Sequence, residues 1–203
     1  MKLYNLVNIL GVTLYNHLSF NLHIGLICNK LSKSVGTFYK LHSLVPEIVL
    51  INLYYSMVYP YLIYHNLAWG GAPKIYLDRL FVLQKKIIRL VAGRGFLDHT
   101  GPFFYRLKIL TLYDIHVYIL ALKGFRMSRD GLFTYPDHSH DTRGGRCLFP
   151  AFQRVGISSN SLSTDVPNAW NGLPNNIKMF ATLRGFKKVL LDFLLEKYID
   201  RGE

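Results

Sequence analysis

Between Lys74 and Ala92 the apolar residues recur at helical spacing, and no other stretch limits the fold so tightly. Leu77, Leu80, Phe81, Gln84, Ile87, Ile88 and Val91 fall on one face. Asp78, Arg79, Lys85, Lys86 and Arg89 fall on the other. Gly93 follows, a residue suited to the left-handed turn that stops a helix. A helix with one apolar face has to lay it against other elements, so the chain is expected to build a packed helical bundle.

Other segments fit that expectation. Residues 20–42 read as a helix with Leu31, Val35, Phe38 and Leu41 on one side and Lys30, Lys33 and Lys40 largely away from it. Pro46 opens a second helix, with Glu47 complementing its dipole, and Pro60 has to kink or end it. A further apolar segment continues to Trp69, and Gly70-Gly71-Ala72-Pro73 punctuates the chain. A loop through Gly101-Pro102 precedes a short helix at 103–109. Leu112, Ile115, Ile119, Leu122 and Phe125 mark another helix ending near Arg126 or Arg129. The last helix is expected at 182–199, capped by Thr182, with Leu183, Phe186, Leu190, Phe193 and Leu194 as its buried stripe.

Two regions differ. Residues 6–15 are rich in β-branched and aromatic side chains and read as a strand, with Gly11 as a bulge or close approach. Residues 130–181 are rich in Gly, Ser, Asn, Asp and Pro and read as extended, irregular structure, with strand-like pieces at 146–149 and 154–157. The expected class is mainly α: a helical bundle with a short amino-terminal β segment and an irregular carboxy-terminal extension ending in a helix.

Charge narrows the partners. The chain carries 24 Lys and Arg against 12 acids, a net charge of +12, and hydrophobic residues make up 50%, enough to bury a core. Residues 74–129 hold eleven of the bases against Asp78, Asp98 and Asp114 alone, so the basic field centres there. Nucleic acid, RNA or DNA, is the first partner such a field fits, and an anionic membrane surface the second. Residues 3–29 and 48–73 lack Asp, Glu, Lys and Arg and are each long enough to span a bilayer. Asn5, Asn8, Asn16, His17, Asn21, His23 and Asn29 in the first, and Asn52, Pro60, His65 and Asn66 in the second, argue against insertion. No signal peptide is expected, because polar residues interrupt the early apolar run.

Catalytic constellations are absent from the sequence. There is no adjacent Asp-Asp pair, so nothing matches the paired carboxylates that hold two metal ions in a polymerase. Cys28 and Cys147 form no Cys-x-x-Cys. Asp137, His138, His140, Asp141 and Cys147 cluster in sequence, but their spacing matches no standard ligand set and reads as a hydrated loop. No catalytic residue, metal site, cofactor or small-molecule substrate is expected. The residues expected to meet nucleic acid are Lys85, Lys86 and Arg89, with Arg79.

Five segments in order carry a resemblance. They are Ile9-Leu10-Gly11-Val12-Thr13-Leu14 through Leu18-Ser19-Phe20 and His23-Ile24; Pro60-Tyr61-Leu62-Ile63-Tyr64-His65-Asn66-Leu67-Ala68-Trp69-Gly70; Leu83-Gln84-Lys85-Lys86-Ile87-Ile88-Arg89; Pro102-Phe103-Phe104 through Leu107-Lys108-Ile109-Leu110-Thr111-Leu112-Tyr113-Asp114; and Thr142-Arg143 with Trp170-Asn171-Gly172-Leu173-Pro174 and Phe186-Lys187-Lys188. Together they are similar to the carboxy-terminal end of a jockey-like reverse transcriptase of non-LTR retrotransposons. The resemblance implies a remnant of the palm and its primer-grip hairpin at 1–20, a helical thumb-like region at 21–93, and a carboxy-terminal extension at 94–203. It implies a fragment of an RNA-directed DNA polymerase, without the catalytic palm, that retains at most nucleic-acid binding in the nucleus or cytoplasm. Asn16 stands where the family has Asp and His65 where Cys is common, which fits a truncated or decayed copy. Two alternatives stand beside this reading: a membrane protein with spans at 3–29 and 48–73, and an element relic without activity.

Overall fold

The computed structural model describes residues 7–14, 20–131 and 162–198. It is mainly helical, with one short antiparallel sheet near the amino terminus, as expected. Two compact units are drawn from it, one from Met1–His116 with Leu195–Glu203, the other from Val117–Leu194.

The first unit opens on a hairpin of β1 (Val7–Ile9) and β2 (Val12–Leu14), with Asn8 opposite Thr13. Leu10 (φ 49°) and Gly11 (φ 80°) make its two-residue turn. Two consecutive positive φ values match the twist of paired strands. The single strand expected over 6–15 is therefore two strands, and Gly11 is a turn residue. Leu10 is a poor choice for that conformation. The Tyr64 hydroxyl donates to its carbonyl at 2.8 Å, a tertiary bond that local sequence does not announce.

Helix α1 (Asn21–Leu41) lies one residue inside the expected 20–42 at each end and buries Ile24, Ile27, Leu31 and Phe38, while Val35 and Leu41 are half-buried. Helix α2 (Glu47–Met57) starts directly after Pro46 and ends before Pro60. The break falls at Val58 (φ −111°, ψ −55°), and Pro60 lies in the first turn of α3 (Tyr59–Ile63). Proline has no N–H to continue the ladder back to Ser56, so the break precedes it. His65, at φ 49°, turns the chain into α4 (Asn66–Trp69), and Trp69 Nε1 donates to the Tyr64 carbonyl at 2.8 Å.

Helix α5 (Lys74–Val91) buries Leu77, Leu80, Gln84, Ile87, Ile88 and Val91 and packs most extensively on α1. Gly93 (φ 61°) stops it as expected: Arg94 N–H bonds the Arg89 carbonyl at 2.9 Å and Gly93 N–H the Leu90 carbonyl at 3.3 Å. Helix α6 spans Gly101–Arg106, so Gly101-Pro102, expected in the loop, form its first turn. Helix α7 (Leu112–Arg129) begins in this unit. Tyr198 is buried in it too, donating to the Asp114 carboxylate at 2.6 Å.

The second unit holds the rest of α7, then α8 (Leu162–Asn171), α9 (Asn175–Lys178) and α10 (Leu183–Glu196) as far as Leu194. Its core joins Leu120, Ala121, Phe125, Val166, Trp170, Leu173, Phe186 and Leu190. The Phe125 and Phe186 rings stack at 4.5 Å. A Cβ on Gly124 would stand 3.0 Å from Trp170 Cε3, so glycine lets the indole close on α7. Thr182 caps α10 through Gly185 N–H, as expected, at 3.2 Å. Residues 162–178, expected to be irregular, carry α8 and α9 instead. The strand-like pieces at 146–149 and 154–157 lie outside the described residues.

Among the described residues no helix is long and apolar enough to cross a membrane. The uncharged stretch at 3–29 contains the hairpin, and that at 48–73 is divided among α2, α3 and α4.

Candidate nucleic-acid interface

The orientation of α5 is fixed from below by a polar clamp. Gln84 is fully buried, yet its amide is satisfied on both sides. Its Nε2 donates to the Tyr54 hydroxyl (2.9 Å) and the Leu110 carbonyl (3.0 Å), and its Oε1 accepts from Leu112 N–H (2.8 Å). A buried amide with three partners permits one rotational setting of the helix. That setting carries Lys85, Lys86 and Arg89 away from the buried stripe.

The three cations are not fully solvated. Their stems are partly covered, in the manner of long basic side chains that lie along apolar surface and extend their charge to water. Lys85 Nζ lies 4.7 Å from the centroid of Phe81. Lys86 Nζ and the Arg89 guanidinium lie 5.8 Å and 5.9 Å from the centroid of Phe96. None of the three pairs with a carboxylate among the described residues. The one acid of α5, Asp78, accepts instead from the Tyr113 hydroxyl at 2.5 Å. Burial, reinforced by the Asp78 carboxylate, holds that phenol far above its usual range, so it remains a donor. Arg79 is exposed, two turns before Lys86, and its charge acts on the Cys28 thiol of α1, which burial raises and Arg79 partly lowers. The structure therefore groups Lys86 and Arg89 around one ring, places Lys85 against another, and leaves Arg79 separate.

Sequence reading passed over the loop after α5. Arg89 Nε donates to the Asp98 carbonyl at 2.8 Å, and the Asp98 carboxylate accepts from Gly95 N–H at 3.1 Å. Between these ties Phe96 and Leu97 remain 70% and 87% exposed. Arg94 adds a guanidinium 5.8 Å from the centroid of Phe103. The one usable signal in the sequence is an aromatic residue set among Arg89, Arg94 and Lys86.

A cleft of about 360 Å³ opens under the hairpin turn, lined by Gly11, His23, Ile27, Lys30, Pro60, Tyr61 and Tyr64. Lys30 Nζ lies 4.9 Å from the centroid of Tyr61. His23 Nδ1 accepts from Thr13 N–H at 3.5 Å, while its buried Nε2 has no partner among the described residues. Burial, helped by Lys30 and His65, lowers the His23 pKa.

Among the described residues no cluster of His, Cys, Asp and Glu could hold a metal ion. Asp137, His138, His140, Asp141 and Cys147 lie outside them. No family model, curated protein or solved structure matches the chain.

Proposed function

We propose that this chain binds nucleic acid through the α5 face bearing Lys85, Lys86 and Arg89, as a noncatalytic carboxy-terminal piece of a jockey-like reverse transcriptase. The carrying observation is that these cations sit on one rigid helix, without carboxylate partners among the described residues, in the most basic part of the chain. Charges held this way meet phosphates without first breaking internal ion pairs. Support for reading a palm end and thumb comes from the short hairpin, with its two-residue turn, and the helices after it.

Phosphate contacts release counterions, so affinity falls with salt in proportion to their number. Arg89 also ties down the loop through Asp98, so a clean test leaves it in place. Lys85→Gln with Lys86→Gln is expected to lower the magnitude of the log–log salt slope by about two units, on RNA and duplex DNA alike. An unchanged slope and affinity would mean the face is only solvated. The same reading predicts no primer extension on an RNA template with added magnesium or manganese, because the paired carboxylates are missing. Metal-dependent nucleotide incorporation by the purified chain would refute that.

A further inference from the structure

We infer that the loop after α5 makes this face a single-strand site, in which Phe96 stacks on an unpaired base while Lys86 and Arg89 hold the flanking phosphates; this rests on the nucleic-acid reading above. Phe96 is 70% exposed, although its loop is held at both ends by the Gly93 helix stop and the bonds to Asp98. A phenyl ring 70% exposed on a tethered loop keeps most of its apolar surface in water beyond its contacts with Lys86 and Arg89. Two cations lie within 6 Å of its centroid, at 5.8 Å and 5.9 Å. That is the scale separating a base from its own and the neighbouring phosphates, so one nucleotide satisfies ring and charges together. Every base has a stacking face, which makes such a platform tolerant of sequence. A duplex keeps its bases stacked on one another and offers the ring nothing but backbone.

A membrane wedge is the competing occupant, since Leu97 is also exposed. The nearness of two cations to the ring disfavours it. Phe96 cannot pass the headgroups without drawing Lys86 and Arg89 toward hydrocarbon, at a cost to both charges.

The test compares the full-length chain with Phe96→Ala and Phe96→Trp on single-stranded RNA, single-stranded DNA, blunt duplex DNA and phosphatidylserine-containing vesicles. Phe96→Ala is expected to weaken single-strand binding roughly tenfold, the loss of one stacked base, with duplex affinity and salt slope unchanged. Phe96→Trp is expected to restore affinity and to show fluorescence quenching on adding a single strand. Trp69 and Trp170 are 0% and 5% exposed, so the added quenching reports position 96. A silent Phe96→Ala beside a normal response to the paired Lys85 and Lys86 variant overturns the stacking site and leaves the nucleic-acid reading standing. An equal loss on strands and duplex, or a loss confined to vesicles, also overturns it. A parent chain that binds neither strand nor duplex overturns both.

Discussion

Gln84 shows how much of α5 rests on one polar side chain. Replacing it with Leu keeps the volume but strands the Tyr54 hydroxyl, the Leu110 carbonyl and the Leu112 N–H in the core. Each buried group left unmet costs about 1–3 kcal/mol, so Gln84→Leu is expected to lose about 3–5 kcal/mol in urea denaturation. Adding Tyr54→Phe removes one stranded group, and the double variant should regain about 1 kcal/mol. A single-variant loss below about 1 kcal/mol would show that the clamp is dispensable. The sequence placed Gln84 on the buried stripe by periodicity. It could not show why an amide belongs there, because its partners lie 26 to 30 residues away.

At the level of elements, the start of α7 carries a second polar knot. Thr111 Oγ1 accepts from Asp114 N–H at 3.2 Å and donates to the Asp114 carboxylate. The Tyr198 hydroxyl donates to that carboxylate at 2.6 Å and accepts from Thr111 N–H at 2.9 Å. Thr111→Val keeps the shape and removes the cap, an expected loss of about 1–2 kcal/mol. Tyr198→Phe leaves Thr111 N–H and part of Asp114 unmet, about 2 kcal/mol. Because both act on one carboxylate, their effects should not add, and strict additivity in a double-mutant cycle would show two independent bonds. The Thr111-x-x-Asp114 spacing is a helix-start signal available in the sequence. The long helices were legible from spacing, as Leu112, Ile115 and Phe125 illustrate on α7, although Ile119 and Leu122 of that stripe are half-buried and Leu120 and Ala121 are buried in their place. The short ones were not. Helix α8 contains Pro167, Asn168 and Asn171, so its own residues disfavour it, and it forms where Trp170 closes on Gly124. The candidate site divides the same way. Lys85, Lys86 and Arg89 follow from the helical pattern, whereas Phe96, a lone aromatic in a loop, has no period to betray it.

For the molecule as a whole, acid is expected to be the weak side. The chain already carries +12 at neutral pH and contains eight histidines, so any proton taken up in acid adds to an existing excess of positive charge. Two of the histidines are held neutral in the first unit. Burial lowers the His23 pKa most, with Lys30 and His65 contributing. A proton on His23 Nδ1 would also set donor against donor at Thr13 N–H. Burial likewise lowers His116, only partly opposed by its bond to Asn66 Oδ1 at 2.8 Å. The Asn66 amide is fixed by its Nδ2 donating to the Leu62 carbonyl, so its oxygen faces the ring and His116 Nδ1 is the donor. Below the ordinary imidazole value of about 6.5 the unfolded chain takes up protons that the folded chain refuses. The contribution of both groups is thus complete above that value, lost as pH falls through it, and constant again once pH passes their folded values. Urea midpoints measured from pH 8 to pH 5 should hold level and then drop below about 6.5. Repulsion among the other charges pushes the same way, so the midpoints alone do not single out these two rings. Ring-proton NMR does: at pH 6.5, where a free imidazole is about half protonated, His23 and His116 should both still be mainly neutral. Half-protonation of either ring at or above that pH would assign the acid sensitivity to surface charge instead.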